Sequence, residues 1–345
     1  MAPSRISTLA KHVRAPQQEL DIEDLAKRAW PEATAASSSC SSSGSCGDCG
    51  CSSGESQGAG LQALPVAAAS PKPSFQDAKL PEIKNAEEYL ASLRNRNVEV
   101  IVLGEVVKNF VDHPLVWPSV NCVAETYRLA ADDPELGSAV GFSGYRVSRF
   151  LHIAESAEDL VKQGLMQREL GRRTGSCFQR CVGMDASNAI WGTSYDIDQK
   201  HGTKYHERFR TFLAMCQSKN WVLGGAMTDA KGDRSVSAGK QEDPDMFVHV
   251  HARQPDGTVV LRGCKMHQTG TLNSHWMIIM PGQRLESSEK PFAITCAVPV
   301  DAKGLTYIYG RQSCDLRAME GSEIDQGNAK FGGQETIVIF EDVEV

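Results

Sequence analysis

The hydrophobic period of this chain changes once, near Trp221, and that change limits what the chain can fold into. Between about Leu80 and Trp221 the apolar residues mostly recur every three or four positions, as one helix face requires. Ile83, Ala86, Tyr89, Leu90 and Leu93 are the clearest such set. From Val222 onward they alternate, and alternation sends successive side chains to opposite faces of a strand. Helices first and strands afterwards predict an α+β chain, with a helical domain over 77–221 and a β domain over 222–345.

Local signals sharpen this. VEVIVLGEVVKN alternates around Gly104 and predicts a small hairpin. HPLVWPSVNCVAETYRLAAD restarts a helix after Pro118, and Ser156 with Asp159 forms a capping-box start for SAEDLVKQGLMQRELGRRTG. A further helix follows Gly202 and runs to about Lys219. In the β half, MFVHVHAR and TVVLRGCK flank the turn Gln254-Pro255-Asp256-Gly257. FAITCAVPV and LTYIYG flank DAKG as a second predicted hairpin, and ETIVIFEDV is one more strand.

Residues 1–76 lack any such period. From Ser37 to Gly60, Ser, Gly and Cys fill 20 of 24 positions, so nothing there can build a core. Cys46, Cys49 and Cys51, with Cys40 nearby, either hold a soft metal through thiolates or are part of a low-complexity linker. Arg5, Lys11 and Arg14, with no acid before Glu19, read either as an organelle presequence or as a frayed tail. The net charge of −7 argues against a nucleic-acid partner, and no apolar run reaches the roughly 18 residues of a membrane span. The other seven cysteines are scattered, with no secretory signal ahead of them, which argues against a disulfide framework. A cytoplasmic protein is expected, with mitochondrial matrix or plastid as the alternative from the first residues.

Three segments could carry chemistry. Cys177 and Cys181, at i and i+4, would share one helix face and could chelate a metal, or be two small buried hydrophobes. GGAMTDAKGDRS, Gly224 to Ser235, offers glycines, hydroxyls and the cations Lys231 and Arg234. It is either a phosphate cradle or a loop whose charges pair in solvent. GCKMHQTGTLNSH, Gly263 to His275, packs so many hydrogen-bonding groups into one element that it suggests a ligand-lining strand.

Taken in order, CFQRCVGMDASNA, YDIDQKHGTKYH, GAMTDAKGDRS, HQTGTLNSH, YGRQSCD and KFGGQETIVIFEDV resemble the 4-hydroxybutyryl-CoA dehydratases. These enzymes belong to the 4-hydroxyphenylacetate 3-hydroxylase group of flavoproteins, and the resemblance runs from about Leu80 to Val345. It implies an acyl-CoA dehydrogenase-like fold: a helical N-terminal domain followed by a β-barrel domain. It implies bound FAD, a 4Fe–4S cluster, an acyl-CoA substrate and a homotetramer. By the resemblance, Cys177 and Cys181 are metal ligands. Gln179 and Glu335 are catalytic, Gln179 orienting substrate or cluster and Glu335 serving as a supporting acid or base. The flavin contacts fall on Met227, Thr228, Asp229, Lys231, Asp233 and Arg234, and on His267, Gln268 and Thr269. The reaction implied is dehydration of 4-hydroxybutyryl-CoA to crotonyl-CoA. It must remove an unactivated β-hydrogen, too weakly acidic for a side-chain base alone.

In the family the other two cluster ligands, a cysteine and a histidine, lie in a C-terminal helical bundle. This chain is expected to end before that bundle, with two of four ligands, so a separate chain would have to complete it. Two alternatives are an FAD-dependent monooxygenase resembling 4-hydroxyphenylacetate 3-monooxygenase, which does not need the cysteine pair, and a non-catalytic fragment or half of a split enzyme.

Overall fold

The computed structural model describes residues 82–94, 96–230, 232–310, 330–333 and 335–345; the readings placed on the tail and on Lys231 lie outside them. Helix α1 (Ala86–Arg94) buries Ala86, Tyr89, Leu90 and Leu93, four of the five residues whose spacing picked it out. Strands β1 (Glu99–Val102) and β2 (Glu105–Val107) form the expected hairpin. Its two turn residues, Leu103 and Gly104, have φ of 50° and 92°, the left-handed geometry that matches the twist of paired strands. Helix α2 (Trp117–Asp132) takes Pro118 into its first turn, where the missing N–H is harmless.

A short hairpin, β3 (Ser138–Val140) and β4 (Arg146–Ser148), precedes α3 (Ala157–Thr174). The capping box at the start of α3 is present in both directions. Asp159 N donates to Ser156 Oγ and Ser156 N donates to Asp159 Oδ2, each at 3.1 Å. Helices α4 (Cys181–His201) and α5 (Tyr205–Lys219) follow, and both end in residues with left-handed backbone, Gly202 and Asn220.

The strands of the second half are β5 (Leu223–Ala226), β6 (His249–Arg253), β7 (Val259–Thr269), β8 (Trp276–Ile279), β9 (Cys296–Pro299), β10 (Leu305–Tyr309) and β11 (Glu335–Glu344). Six strands form one sheet in the order β2-β1-β10-β11-β7-β6, and β5-β8-β9 form another. β6 and β7 are the hairpin that the Pro-Asp-Gly turn predicted. The second predicted hairpin does not form. β9 pairs with β8, whereas β10 crosses to the large sheet and lies between β1 and β11. β10 is buried at four of its five positions, which demands a neighbour on each edge. Both sheets are open, and no closed barrel forms among the described residues.

One hydrophobic core runs through both halves, from Tyr89 and Val120 through Leu213 to Tyr307 and Phe340. No helix among the described residues is long and apolar enough to cross a membrane. The helical layer meets the small sheet most closely where α4 lies on β5. A methyl group on Gly183 would collide with the Leu223 carbonyl, and one on Gly225 with the Val182 side chain. Two glycines, one on each partner, thus set how closely the cysteine-bearing helix approaches the sheet.

Gly183→Ala is expected to lower the melting midpoint by about 2–10 °C, from an overpacking penalty of about 1–3 kcal/mol. Gly192→Ala on the same helix adds a methyl that meets nothing. It should leave the midpoint unchanged or raise it by about 2–4 °C. Thermal melts of the two variants that moved alike would refute this account of the contact.

Candidate functional site

Cys177 and Cys181 do not share a helix. α3 ends at Thr174, Cys177 lies in the connector, and Cys181 is the first residue of α4. The break has a cause two residues on, where Gln179 adopts φ of 64°, a left-handed backbone that no helix can continue through. The turn nevertheless brings the two sulfurs together. The Cys181 thiol donates a hydrogen bond to the Cys177 sulfur, and this is the largest reason the Cys177 thiol falls to about 7; the Gln179 amide adds to it, while burial opposes it. The same bond pushes Cys181 upward, because losing its proton would leave two anions in contact. Neither cysteine is in a disulfide, and Cys177 is exposed. Among the described residues no third Cys, His, Asp or Glu joins them to make a metal-binding cluster.

A left-handed backbone costs a residue with a side chain roughly 1–2 kcal/mol, so something must hold Gln179 there. Its side chain is buried and saturated. Nε2 donates to Ser119 O and to Gly332 O, both at 3.0 Å, and Oε1 accepts from Asn273 Nδ2 at 2.9 Å. Asn273 also donates to Ser119 Oγ at 3.1 Å, and its carbonyl accepts from the Tyr89 hydroxyl at 2.7 Å. One amide therefore ties together the first turn of α2, the cysteine connector, the turn after β7 and the segment that leads into β11. Cys122, on α2, sits against the same Gly332 carbonyl, and burial pushes its thiol up to about 12.

β7 supplies the second half of the site through a bulge. Lys265 pairs with Val338 and Gln268 with Thr336, so Met266 and His267 together oppose Ile337. Such an extra residue bends a strand and redirects its side chains. His267, with φ of 54°, swings out to solvent and meets Glu335 at 2.9 Å, opposite Thr269. Gln268 turns inward. Its Nε2 donates to Thr228 O at 2.9 Å and its Oε1 accepts from Met227 N at 3.2 Å.

The loop after β5 lies on that inward face. Met227 is 47% exposed, the Thr228 carbonyl is held by Gln268 and by Met266 N, and Asp229 is buried. Asp229 gives one carboxylate oxygen to Lys265 Nζ and the other to Gly282 N. Farther along, Asp233 turns its carboxylate back onto the Ser235 amide and hydroxyl at 2.8 and 2.7 Å. Asp229, Asp233, Arg234, Phe247 and Gly282 line a cleft of about 280 Å³.

The expected residues therefore fall into two adjoining groups. Cys177, Cys181 and Gln179 form one, with Glu335 near enough to act on the Cys177 thiol. Met227, Thr228, Asp229, Asp233, Arg234 and Gln268 form the other. The far end of the polar segment is internal: Thr271, Asn273, Ser274 and His275 are buried. His275 accepts from Val222 N at 3.0 Å and lies against the Trp221 ring, held uncharged by burial. The sequence did not single out Lys265, Ser119 or Cys122. A lysine in a run of alternating residues gives no sign of its direction when a bulge intervenes.

Residues 85–345 match the N-terminal family model of 4-hydroxyphenylacetate 3-hydroxylase. The chain belongs to this family. It is 48% identical over 266 residues to the 4-hydroxybutyryl-CoA dehydratase/vinylacetyl-CoA-Delta-isomerase of Clostridium aminobutyricum, covering 76% of this chain and 54% of that protein. The solved structure of an oxygen-tolerant archaeal 4-hydroxybutyryl-CoA dehydratase from N. maritimus is 55% identical, with a TM-score of 0.73, over 76% of this chain and 53% of that one. The oxygenase component of 4-hydroxyphenylacetate 3-monooxygenase, solved with FAD, is 21% identical with a TM-score of 0.62, covering 76% of this chain and 54% of that one, and shares the fold. The chain spans about half the length of these relatives.

The cysteine connector makes a chemical prediction. In chelator-treated protein, iodoacetamide is expected to alkylate Cys177 well before Cys122, with the Cys177 rate rising between about pH 6 and 8 as its thiolate forms. Cys181→Ala removes the S–H donor, returns the Cys177 thiol toward the ordinary range and lowers its thiolate fraction at pH 7. Peptide mass spectrometry of alkylation rates checks this, and an unchanged Cys177 rate in the variant would count against the hydrogen bond.

Proposed function

We propose that this chain carries the cysteine-bearing and flavin-facing part of a 4-hydroxybutyryl-CoA dehydratase-type lyase, which takes 4-hydroxybutyryl-CoA to crotonyl-CoA. The observation that carries the reading is the thiol pair. Cys177 and Cys181 are turned toward each other at the end of a buried polar anchor, on a chain about half identical to enzymes of that name. The acyl-CoA dehydrogenase-like arrangement, with a helical domain over 77–221 and a barrel-like β domain over 222–345, is part of the same reading, as is assembly into a tetramer.

The residues present fit the two cofactors in part. Two thiols, one ionising near neutral pH, are a soft donor set suited to iron–sulfur ligation. The described residues supply two ligands, so the others would come from outside them. The cleft beside Arg234 has room for part of a dinucleotide, being just under the ~300–1,000 Å³ of a typical ligand pocket. Arg234 brings a cation to its wall, and Phe247 brings an apolar surface. When bound, the flavin and the cluster would supply electron transfer and a Lewis acid for the departing hydroxyl.

The chain's own residues do the positioning. Cys177 and Cys181 hold the metal side, and Gln179 fixes the connector between them. Thr228, Arg234 and Thr269 face the flavin side, and Asp233, with its carboxylate occupied by Ser235, shapes the loop next to Arg234. Glu335, with His267 at 2.9 Å, is the carboxylate at the exposed junction of the two groups and can hold or move a proton there. The monooxygenase reading is supported by relatives of only 21–26% identity and gives the thiol pair no task.

With the second half of a relative supplied in trans to complete the ligand set, anaerobic reconstitution with iron, sulfide and FAD is expected to load the assembly with both cofactors. Cys177→Ala or Cys181→Ala should each remove most of the bound iron and sulfide, while Cys216→Ala, buried in the core, should leave them. Equal loss in all three variants would sink the assignment. With the second half of a relative supplied in trans, crotonyl-CoA formation supports the lyase, and oxygen-dependent hydroxylation of 4-hydroxyphenylacetate supports the rival.

A further inference from the structure

Lys265 is among the most deeply buried charges of the described chain, its side chain only 2% exposed. All three ammonium protons are used. They go to Asp229 Oδ1, to Met227 O at 3.0 Å and to Met280 O at 2.7 Å. The other Asp229 oxygen accepts from Gly282 N at 3.0 Å. Backbone pairing between Asp229 and Lys265 closes the arrangement. Three segments thus meet at one ion pair: β7, the loop leaving β5 and the loop leaving β8. Asp229 and Gly282 are also walls of the cleft beside Arg234.

A buried ion pair is a poor device for stability alone, since a well-packed apolar pair of similar size usually holds a core as well or better. Its directional bonds do what an apolar pair cannot, which is to fix a loop backbone at chosen atoms. Here the atoms fixed are the carbonyls of Met227 and Met280 and the carboxylate of Asp229. The neighbouring carbonyl, that of Thr228, is fixed by Gln268 from the same face of β7. No apolar contact would set the direction in which the next residues, up to Arg234, leave the loop.

We infer that Lys265 is a positioning residue. Through Asp229 it clamps the Met227–Ala230 loop in the shape that receives the dinucleotide, so Asp229, itself a wall of the cleft, serves the site by holding the loop. The inference rests on the flavin reading of this loop. If the clamp is absent and the loop holds the receptive shape a tenth of the time, apparent affinity falls about tenfold.

The test replaces both charges together, Lys265→Met with Asp229→Leu, because removing one would strand the other in the core. FAD binding is followed by fluorescence titration, and loop opening by amide hydrogen exchange. The double variant is expected to keep a cooperative melt, to bind FAD about tenfold or more weakly, and to exchange faster in the peptide spanning 227–234 but not in α2 or β11. Wild-type affinity in the double variant overturns the clamp while leaving the flavin site intact. A wild-type protein that binds no FAD overturns the flavin reading, and the clamp with it. Faster exchange throughout the chain would make the pair a core element and overturn the clamp too.

Should the double variant fail to fold, Gly282→Ala decides. Its methyl would press on Met227 O at 2.7 Å and on Asp229 Oδ2 at 2.8 Å, shifting the clamp with both charges retained. The same loss of FAD affinity is expected, and unchanged affinity overturns the proposal.

Discussion

Thr336 and Val338 lie two apart on β11 and therefore face the same side of the sheet. β7 meets them with Gln268 and Lys265, which are three apart. In an unbroken strand those two side chains would point in opposite directions. The extra residue between them puts both on one face, and the loop after β5 rests against that face. Gln268 and Lys265 then take the Met227 amide and the Met227 and Thr228 carbonyls between them. The same irregularity turns His267 outward, where it meets Glu335. A single insertion in register thus separates an internal, loop-holding set of polar groups from an external, solvent-facing pair.

The two anchors of the site differ in charge, and the difference follows from what each must hold. Gln179 binds two carbonyls and one amide, all neutral, and a neutral amide satisfies them without bringing charge into the core. Lys265 must gather three oxygens around one point, and an ammonium has the three donors for it. That choice brings a buried charge, and Asp229 is the counter-charge it requires. In both cases the anchor, rather than the exposed groups nearby, Cys177 and Arg234, holds the backbone in place.

Much of the fold was legible in the amino-acid order because it rests on local signals. The Ser156–Asp159 cap, the Gly104 turn and the Pro255–Gly257 turn each act within a few residues, and each formed as read. The DAKG turn misled because a strong turn says that the chain reverses, not which strands it joins. β10 was claimed by β1 and β11 instead of β9, and pairings between distant strands leave no local mark. The cysteine spacing gave the right neighbours through the wrong geometry, since a left-handed glutamine between them cannot be read from spacing. Lys265 stayed hidden for a related reason. Its inward direction depends on a bulge whose position is set by β11, whose closest paired residue, Val338, comes far later in the chain.

The place of β10 bears on how the chain comes into being. Val100 and Ile101 are fully buried in the finished sheet, yet their parallel partner begins at Leu305. The 207 residues from Glu99 to Thr306 take roughly 10–40 s to synthesise. The helices, whose contacts are local, can assemble within that interval, whereas the large sheet cannot be sealed until β10 and β11 emerge from the ribosome. During the wait the first hairpin carries an open edge of apolar residues, a template for any strand that reaches it first.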